Sequence, residues 1–406
     1  MTFHTHEFDN GIRIIHFRVP SQVAHCGLYI NAGSRDEEPG EHGIAHFIEH
    51  LFFKGTKKRR AHHIISRLEA VGGEINAYTG KEETCIYSSF MREDFERSLE
   101  LICDMTFHSV FPEKELNREK QVIIDEILSY MDNPAEQIFD DFEEIVFCND
   151  PIGRNILGTP KHLMKFNRDD IIRFMNNNYR TDQMVFASVG DHDFNSVLRY
   201  ARKHLEPVTA NRKARIRQKH NTYHPASRIL SRKTHQVHFI TGKRAFNMYD
   251  GKRMTMVVLN NILGGPGMSA RLNQALRERS GFAYNVESHY TAWSDTGIFN
   301  VYFGCDRDKT DRCRHLLRKE FSALRNKRLS PVQLNRAKRQ LKGQLAIGWE
   351  SRENLMMAIG KSYLLFNRVD TVEEVYRKID AVTAMDIMDV ANYILDPGSL
   401  SELVYT

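Results

Sequence analysis

The sequence contains no CxxC pair. Its six cysteines, Cys26, Cys85, Cys103, Cys148, Cys305 and Cys313, are scattered over 406 residues. That scatter argues against a zinc knuckle and reads as small core thiols in a reducing compartment. No apolar run approaches the length needed to span a bilayer, so no membrane association is expected. The opening stretch, MTFHTHEFDNGIRIIHF, lacks a basic segment followed by a long apolar one. It is also too acidic and too poor in serine for a transit peptide, and a cytoplasmic location is the expectation. There is no long basic tail. The net charge of +5 is modest, with Lys and Arg interspersed among Asp and Glu, so nucleic acid is not an expected partner.

What is present is a chain too long for one ordinary core, and its pattern falls into two similar halves. GIRIIHFRV and VAHCGLYINAG read as strands. HGIAHFIEHLFFKGT and AHHIISRLEAVGG read as helices, the second stopped by Gly72 and Gly73. EINAYTG and TCIYSSFM read as two more strands. A long helical zone from Asp94 follows, with a break at Phe111-Pro112 and a helix from about Glu113 to Met131. QMVFASVGD is a strand and FNSVLRYARKHLE a helix. Residues 206–222, EPVTANRKARIRQKHNT, are polar and basic and read as a linker whose charge is solvated.

The pattern then recurs. QVHFITG is a strand, and MTMVVLNNILGG and SARLNQALRERSG are helices. FAYNVESHY and TGIFNVYFGC are paired strands, two long helices follow, and SELVYT is a closing strand. A period of about 200 residues is a domain duplication. The expected fold is α+β, two homologous sandwiches of helices on a largely antiparallel sheet. The expected boundaries are 1–210 for the first domain, 211–222 for the linker and 223–406 for the second.

The chemistry is concentrated in HFIEH, where His46 and His50 bracket Glu49 in an otherwise apolar run. On a helix, residues four apart share a face, so the two imidazoles can bind one ion. Glu49 flanks that face and can take a proton from a water beside the ion. Such a site suits zinc with three protein ligands and one open position, which is the arrangement for metal-assisted hydrolysis. The third ligand can come from NREKQVIIDEILSYMDNP. There Glu119 and Glu126 lie two helical turns apart on one face. One can ligate while the other orients a histidine. His42, one turn earlier, reads as a capping or surface group.

HxxEH with a glutamate about 76 residues later resembles the signature of the pitrilysin, or inverted zincin, metallopeptidases. The resemblance continues through GGEINAYTGKEETCIYSSF, EKQVIIDEI, PIGRNILGT, QMVFASVGD and LNNILGGPGMSARLNQALRERSGFAYNV, which spans nearly the whole chain. It is to the two-domain form, similar to the mitochondrial processing peptidase subunits and bacterial relatives.

The resemblance implies one zinc per chain, held by His46, His50 and Glu126, with Glu119 in support and Glu49 as catalytic base. The spacing from His50 to Glu126 is one residue shorter than in the commonest form. It further implies that GGEINAYTG is an exposed edge strand binding extended peptides through Asn76 and Ala77. Arg277 and Tyr284 match a pair that holds substrate and steadies the oxyanion. LGGPGMSARL lacks the GK[ST] ending of a phosphate loop and is read as a substrate-contacting loop.

The implied protein is a zinc endopeptidase for peptides or unfolded polypeptides in an enclosed chamber. The implied assembly is a homodimer, or alternatively a heterodimer with a homologous subunit. The competing expectation is a catalytically silent partner subunit, but such relatives lose part of the zinc motif.

Overall fold

A computed structural model describes residues 2–213, 216, 217, 222–232 and 234–406. The first half runs β1 (Phe3–Glu7), β2 (Arg13–Arg18), β3 (Val23–Ile30), α1 (Ile44–Leu51), α2 (Ala61–Glu69), β4 (Glu74–Thr79), β5 (Thr84–Met91), α3 (Phe95–His108) and α4 (Glu113–Met131). It continues with α5 (Pro134–Val146), α6 (Pro160–Leu163), α7 (Arg168–Asn178), β6 (Met184–Gly190) and α8 (Phe194–His204). The second half runs β7 (Ser227–Leu230), β8 (Val237–Ala245), α9 (Arg253–Gly264), a π-helical segment (Asn273–Glu278), β9 (Ala283–Ala292), β10 (Gly297–Cys305), α10 (Thr310–Asn326) and α11 (Pro331–Glu350). α12 (Arg352–Phe366), α13 (Val372–Ala381), α14 (Ala384–Ile394) and β11 (Ser401–Tyr405) complete it. The elements expected from sequence are present. β1, β7 and the helices between Arg352 and Ile394 are additional to them.

The chain forms two compact units, and neither is a contiguous half. Unit 1 is residues 1–128, 154–217 and 346–371, and unit 2 is residues 129–153, 218–345 and 372–406. Each unit therefore recruits one helix from the opposite half of the sequence. The reason is the sheet in each unit.

In unit 1 six strands run in the order β1-β2-β6-β3-β5-β4, parallel only between β2 and β6. Every residue of β6 is buried, as expected for a strand covered on both faces. One face packs Ile14, Leu28, Ile86 and Phe186 with residues of α1, α3 and α8. The other face carries Ile15, Tyr29, Val185, Ala187 and Val189, and α12 covers it with Leu355, Met356 and Ile359.

In unit 2 five strands run β7-β11-β8-β10-β9, parallel only between β11 and β7. α9, α10 and α14 contribute to the core on one face. α5 covers the other, setting Ile138, Phe142 and Ile145 against Ile240, Tyr302 and Leu403.

Two sequence expectations need correction. Cys148 is exposed, while the other five cysteines are buried free thiols. The linker's charge is not all solvated. Arg217 donates Nε and Nη2 to Asp36 at 2.9 and 2.8 Å and places Nη1 3.4 Å from Glu82, because these buried acids need a cation. Within the expected linker, residues 214, 215 and 218–221 lie outside the described residues.

α12 lies close enough to the sheet that a Cβ on Gly360 would come 2.2 Å from Cε2 of Tyr29, which is fully buried. Gly360→Ala should therefore destabilise the protein by about 1–3 kcal/mol, read as a lower midpoint in thermal unfolding. An unchanged midpoint would mean that α12 does not sit on Tyr29.

Candidate metal centre

α1 begins at Gly43, whose φ of 96° puts it in the left-handed region, and no side chain caps it directly. Glu37 supplies the missing acceptors from outside the helix. Its Oε2 accepts from the Gly43 amide and its Oε1 from the Ala45 amide, both at 3.0 Å. A Cβ on Gly158 would come 2.6 Å from the Gly43 Cα, so a second glycine is needed for this approach. With its start fixed, α1 buries Ile44, Phe47, Ile48 and Leu51 and turns His46, Glu49 and His50 towards α4.

Three ligand atoms meet there. Nε2 of His46 lies 3.8 Å, and Nε2 of His50 3.4 Å, from Oε2 of Glu126. The set His46, His50 and Glu126 brings one ligand atom each to within 4.8 Å of the others. Glu119, one residue of α4 set two turns before Glu126, is 2% exposed and accepts from Nδ1 of His50 at 3.4 Å. Lys54 reaches its other oxygen at 2.8 Å. The Glu119 contact keeps a proton on Nδ1 of His50 and so reserves Nε2, which faces Glu126, for a cation. Nδ1 of His46 is buried and makes no hydrogen bond among the described residues.

Electrostatics splits the two histidines. Burial, then the neighbouring His50, pushes His46 down to about 4, so its ring is neutral. Burial also works against a charged His50, but hydrogen bonds to Glu119 and Glu126 outweigh it and hold the group up at about 9. The His50 hydrogen bond in turn lowers Glu126. Two imidazole nitrogens and a carboxylate, with a further carboxylate behind one imidazole, fit a zinc-like ion with an open position.

Glu49 sits beside this cluster, and burial raises its carboxyl despite hydrogen bonds from the hydroxyl and amide of Thr79. Thr79 ends β4, which is an edge strand of its sheet. The Gly80 amide donates to the Glu83 carbonyl at 2.7 Å, which fixes the phase of the β4–β5 ladder. By alternation Asn76 and Tyr78 bond inward to β5, and Ile75, Ala77 and Thr79 turn their backbone groups to the open edge. The Ala77 amide is covered there by Oδ1 of Asn76 at 2.8 Å. His42 donates its Nε2–H to the Asn155 carbonyl at 3.0 Å, and it is not in the ligand set.

Arg277 and Tyr284 belong to unit 2. Arg277 is half-exposed on the π-helical segment, with Nε 3.8 Å from Glu278. Tyr284, 59% exposed on β9, donates its hydroxyl to Asp306 at 3.3 Å. Three contributors to the metal cluster's surroundings were not anticipated from sequence: Glu37, Lys54 and Thr79. Only Lys54 left a signal, standing four residues after His50 just beyond the end of α1.

Two outcomes follow for metal binding. Glu119→Ala should weaken zinc binding by about 10–100-fold in competition with a chelator, because the His50 tautomer is no longer fixed. Between about pH 6 and pH 8 His50 must surrender its proton to a cation. Apparent zinc affinity should therefore rise about tenfold per pH unit. A pH-independent affinity would contradict the His50–Glu119–Glu126 arrangement.

Two family models match in tandem. Residues 14–160 match "Insulinase (Peptidase family M16)" and residues 165–341 match "Peptidase M16 inactive domain". The chain is 36% identical over 393 residues to an uncharacterized zinc protease of Streptomyces coelicolor, covering 95% of this chain and 85% of that one. It is 32% identical over 386 residues to another of Bacillus subtilis, covering 95% and 94%. Its fold is similar to that of a protease from Helicobacter pylori, at TM-score 0.92 and 20% identity over 100% of this chain and 99% of the other. With the HxxEH helix intact and both domain models matched, the chain belongs to peptidase family M16.

Proposed function

We propose that the protein is a zinc-dependent endopeptidase acting on peptides or unfolded polypeptides. The observation that carries this reading is the convergence of His46, His50 and Glu126 beside a separate carboxylate, Glu49. The names of the relatives as zinc proteases agree with it. A zinc ion held by His46, His50 and Glu126 would supply Lewis acidity and lower the pKa of a bound water to roughly 7.

The chain's own residues do the rest. Glu49 accepts the water's proton and returns it to the leaving amine, and its raised carboxyl pKa suits both transfers. Glu119 and Lys54 keep His50 in one tautomer. The open edge of β4 receives an extended substrate backbone at Ile75 and Ala77, with the Asn76 side chain moving off the Ala77 amide. Pairing through the main chain suits broad specificity. Tyr284 and Arg277, both accessible, steady the developing oxyanion. The complete ligand set favours an enzyme over a silent subunit.

We further propose a homodimer, with the Arg277 and Tyr284 of one subunit serving the metal site of the other. α9, which stands where α1 stands in the first half, has no histidine, so one zinc per chain is expected.

Glu49→Gln should lower the hydrolysis of a quenched fluorogenic peptide by about 10²–10⁴-fold while keeping one zinc per chain. Parallel loss of metal would remove Glu49 from the role of base. Mixing Glu49→Gln with Tyr284→Phe should restore part of the activity if the sites are shared. Two variants that stay inactive after subunit exchange would make each site self-contained.

A further inference from the structure

Tyr284 stands at a break in its own sheet. Along β9 and β10 the pairing is regular as far as Asn285 with Gly304, and the next pair is Ala283 with Cys305. Tyr284 is the extra residue of a β-bulge and has no partner across the ladder. Its neighbours show the consequence. Ala283 and Val286 are buried, while Tyr284 and Asn285, successive residues of one strand, are both exposed. Regular alternation would turn one of the two inward. Upstream, Gly281 lies in the left-handed region at φ 63° and donates its amide to the Arg277 carbonyl at 2.9 Å. That contact closes the helical segment carrying Arg277. A cap and a bulge thus set the backbone between the two side chains.

Both side chains face a carboxylate of their own unit. Nε of Arg277 is 3.8 Å from Glu278. The Tyr284 hydroxyl lies 3.3 and 3.4 Å from the two carboxylate oxygens of Asp306, the residue directly after β10. The Asp306 carbonyl accepts from the Lys309 amide at 3.0 Å, which fixes its backbone. Among the described residues its carboxylate has no other hydrogen bond or ion pair. The two contacts differ in what they leave free. A guanidinium has five N–H donors and loses little to one distant carboxylate. A phenol has a single O–H, and while Asp306 accepts it none is left for an oxyanion. The carboxylate also adds negative charge next to the donor that developing negative charge requires.

We propose that Asp306 restrains Tyr284, holding its hydroxyl proton in the free protein so that Tyr284 serves the oxyanion only after releasing that contact; this rests on the reading of Tyr284 as an oxyanion donor. Asp306 is a positioning residue, acting on the reaction through Tyr284 alone. The step exchanges one acceptor, a carboxylate oxygen, for another, the oxygen of the attacked carbonyl. The contact is exposed and long, so releasing it is worth about three- to tenfold in rate.

Asp306→Asn keeps the side-chain shape and reverses its polarity, because a carboxamide N–H donates to the phenol oxygen and turns the phenol proton outward. Asp306 is exposed and its side chain caps no helix, so the variant should fold with an unchanged thermal midpoint. In the full-length, zinc-loaded protein, kcat for a quenched fluorogenic peptide should rise about three- to tenfold with KM unchanged, and Asp306→Ala should behave alike. In a Tyr284→Phe background Asp306→Asn should change nothing, because the restrained proton is gone. If Tyr284→Phe is impaired but kcat is unchanged or lowered in both Asp306 variants, the restraint is overturned and the reading of Tyr284 stands. A rise that persists in Tyr284→Phe would also overturn the restraint and make Asp306 a source of general charge repulsion. Full activity of Tyr284→Phe would overturn the reading of Tyr284 and the restraint with it.

Discussion

Two imidazoles and a carboxylate whose ligand atoms lie within 4.8 Å of one another, on helices that otherwise bury aliphatic side chains, set the terms for everything around them. Burying such groups costs free energy unless something satisfies them. The protein meets that cost in layers. Glu119 and Lys54 hold His50 from behind, Thr79 holds Glu49 from the side, and Glu37 and the Gly43–Gly158 contact hold the start of the helix that carries both histidines. The remaining mismatch, two lone pairs facing a carboxylate, is one that a divalent cation resolves.

The duplication explains why this happens once per chain. α9 takes the place of α1 in the second half but reads RMTMVVLNNILG, with apolar or amide side chains where the ligands would be. Unit 2 keeps the sheet and its covering helices and puts other groups at its surface, including the accessible Tyr284 and its partner Asp306. One architecture thus carries a half-buried ligand cluster in one copy and exposed polar groups in the other.

Much of this was legible in the sequence because the signals were local. The helix over Glu113–Met131 was bounded by Pro112 and by Asn133-Pro134, and HxxEH fixed its own geometry by helical spacing. The exchange of helices between the units was not legible. β6 reads as a strand buried on both faces, which requires a second covering layer, but no local pattern says that α12 supplies it from more than 160 residues away. Arg217 was misread for the same reason. In sequence it is one of several basic residues in a polar stretch, and only the fold brings it to Asp36 and Glu82. Glu37, seven residues before α1, does not look like a cap, because only the intervening loop brings it back onto the Gly43 and Ala45 amides at the helix start.

The most direct measurement is anomalous diffraction at the zinc absorption edge from crystals of the zinc-loaded protein. The account predicts one peak per chain, within bonding distance of Nε2 of His46, Nε2 of His50 and a carboxylate oxygen of Glu126, with Glu119 behind His50 and not on the ion. A peak that Glu126 does not ligate, or full zinc content with no peak at these three residues, would contradict it.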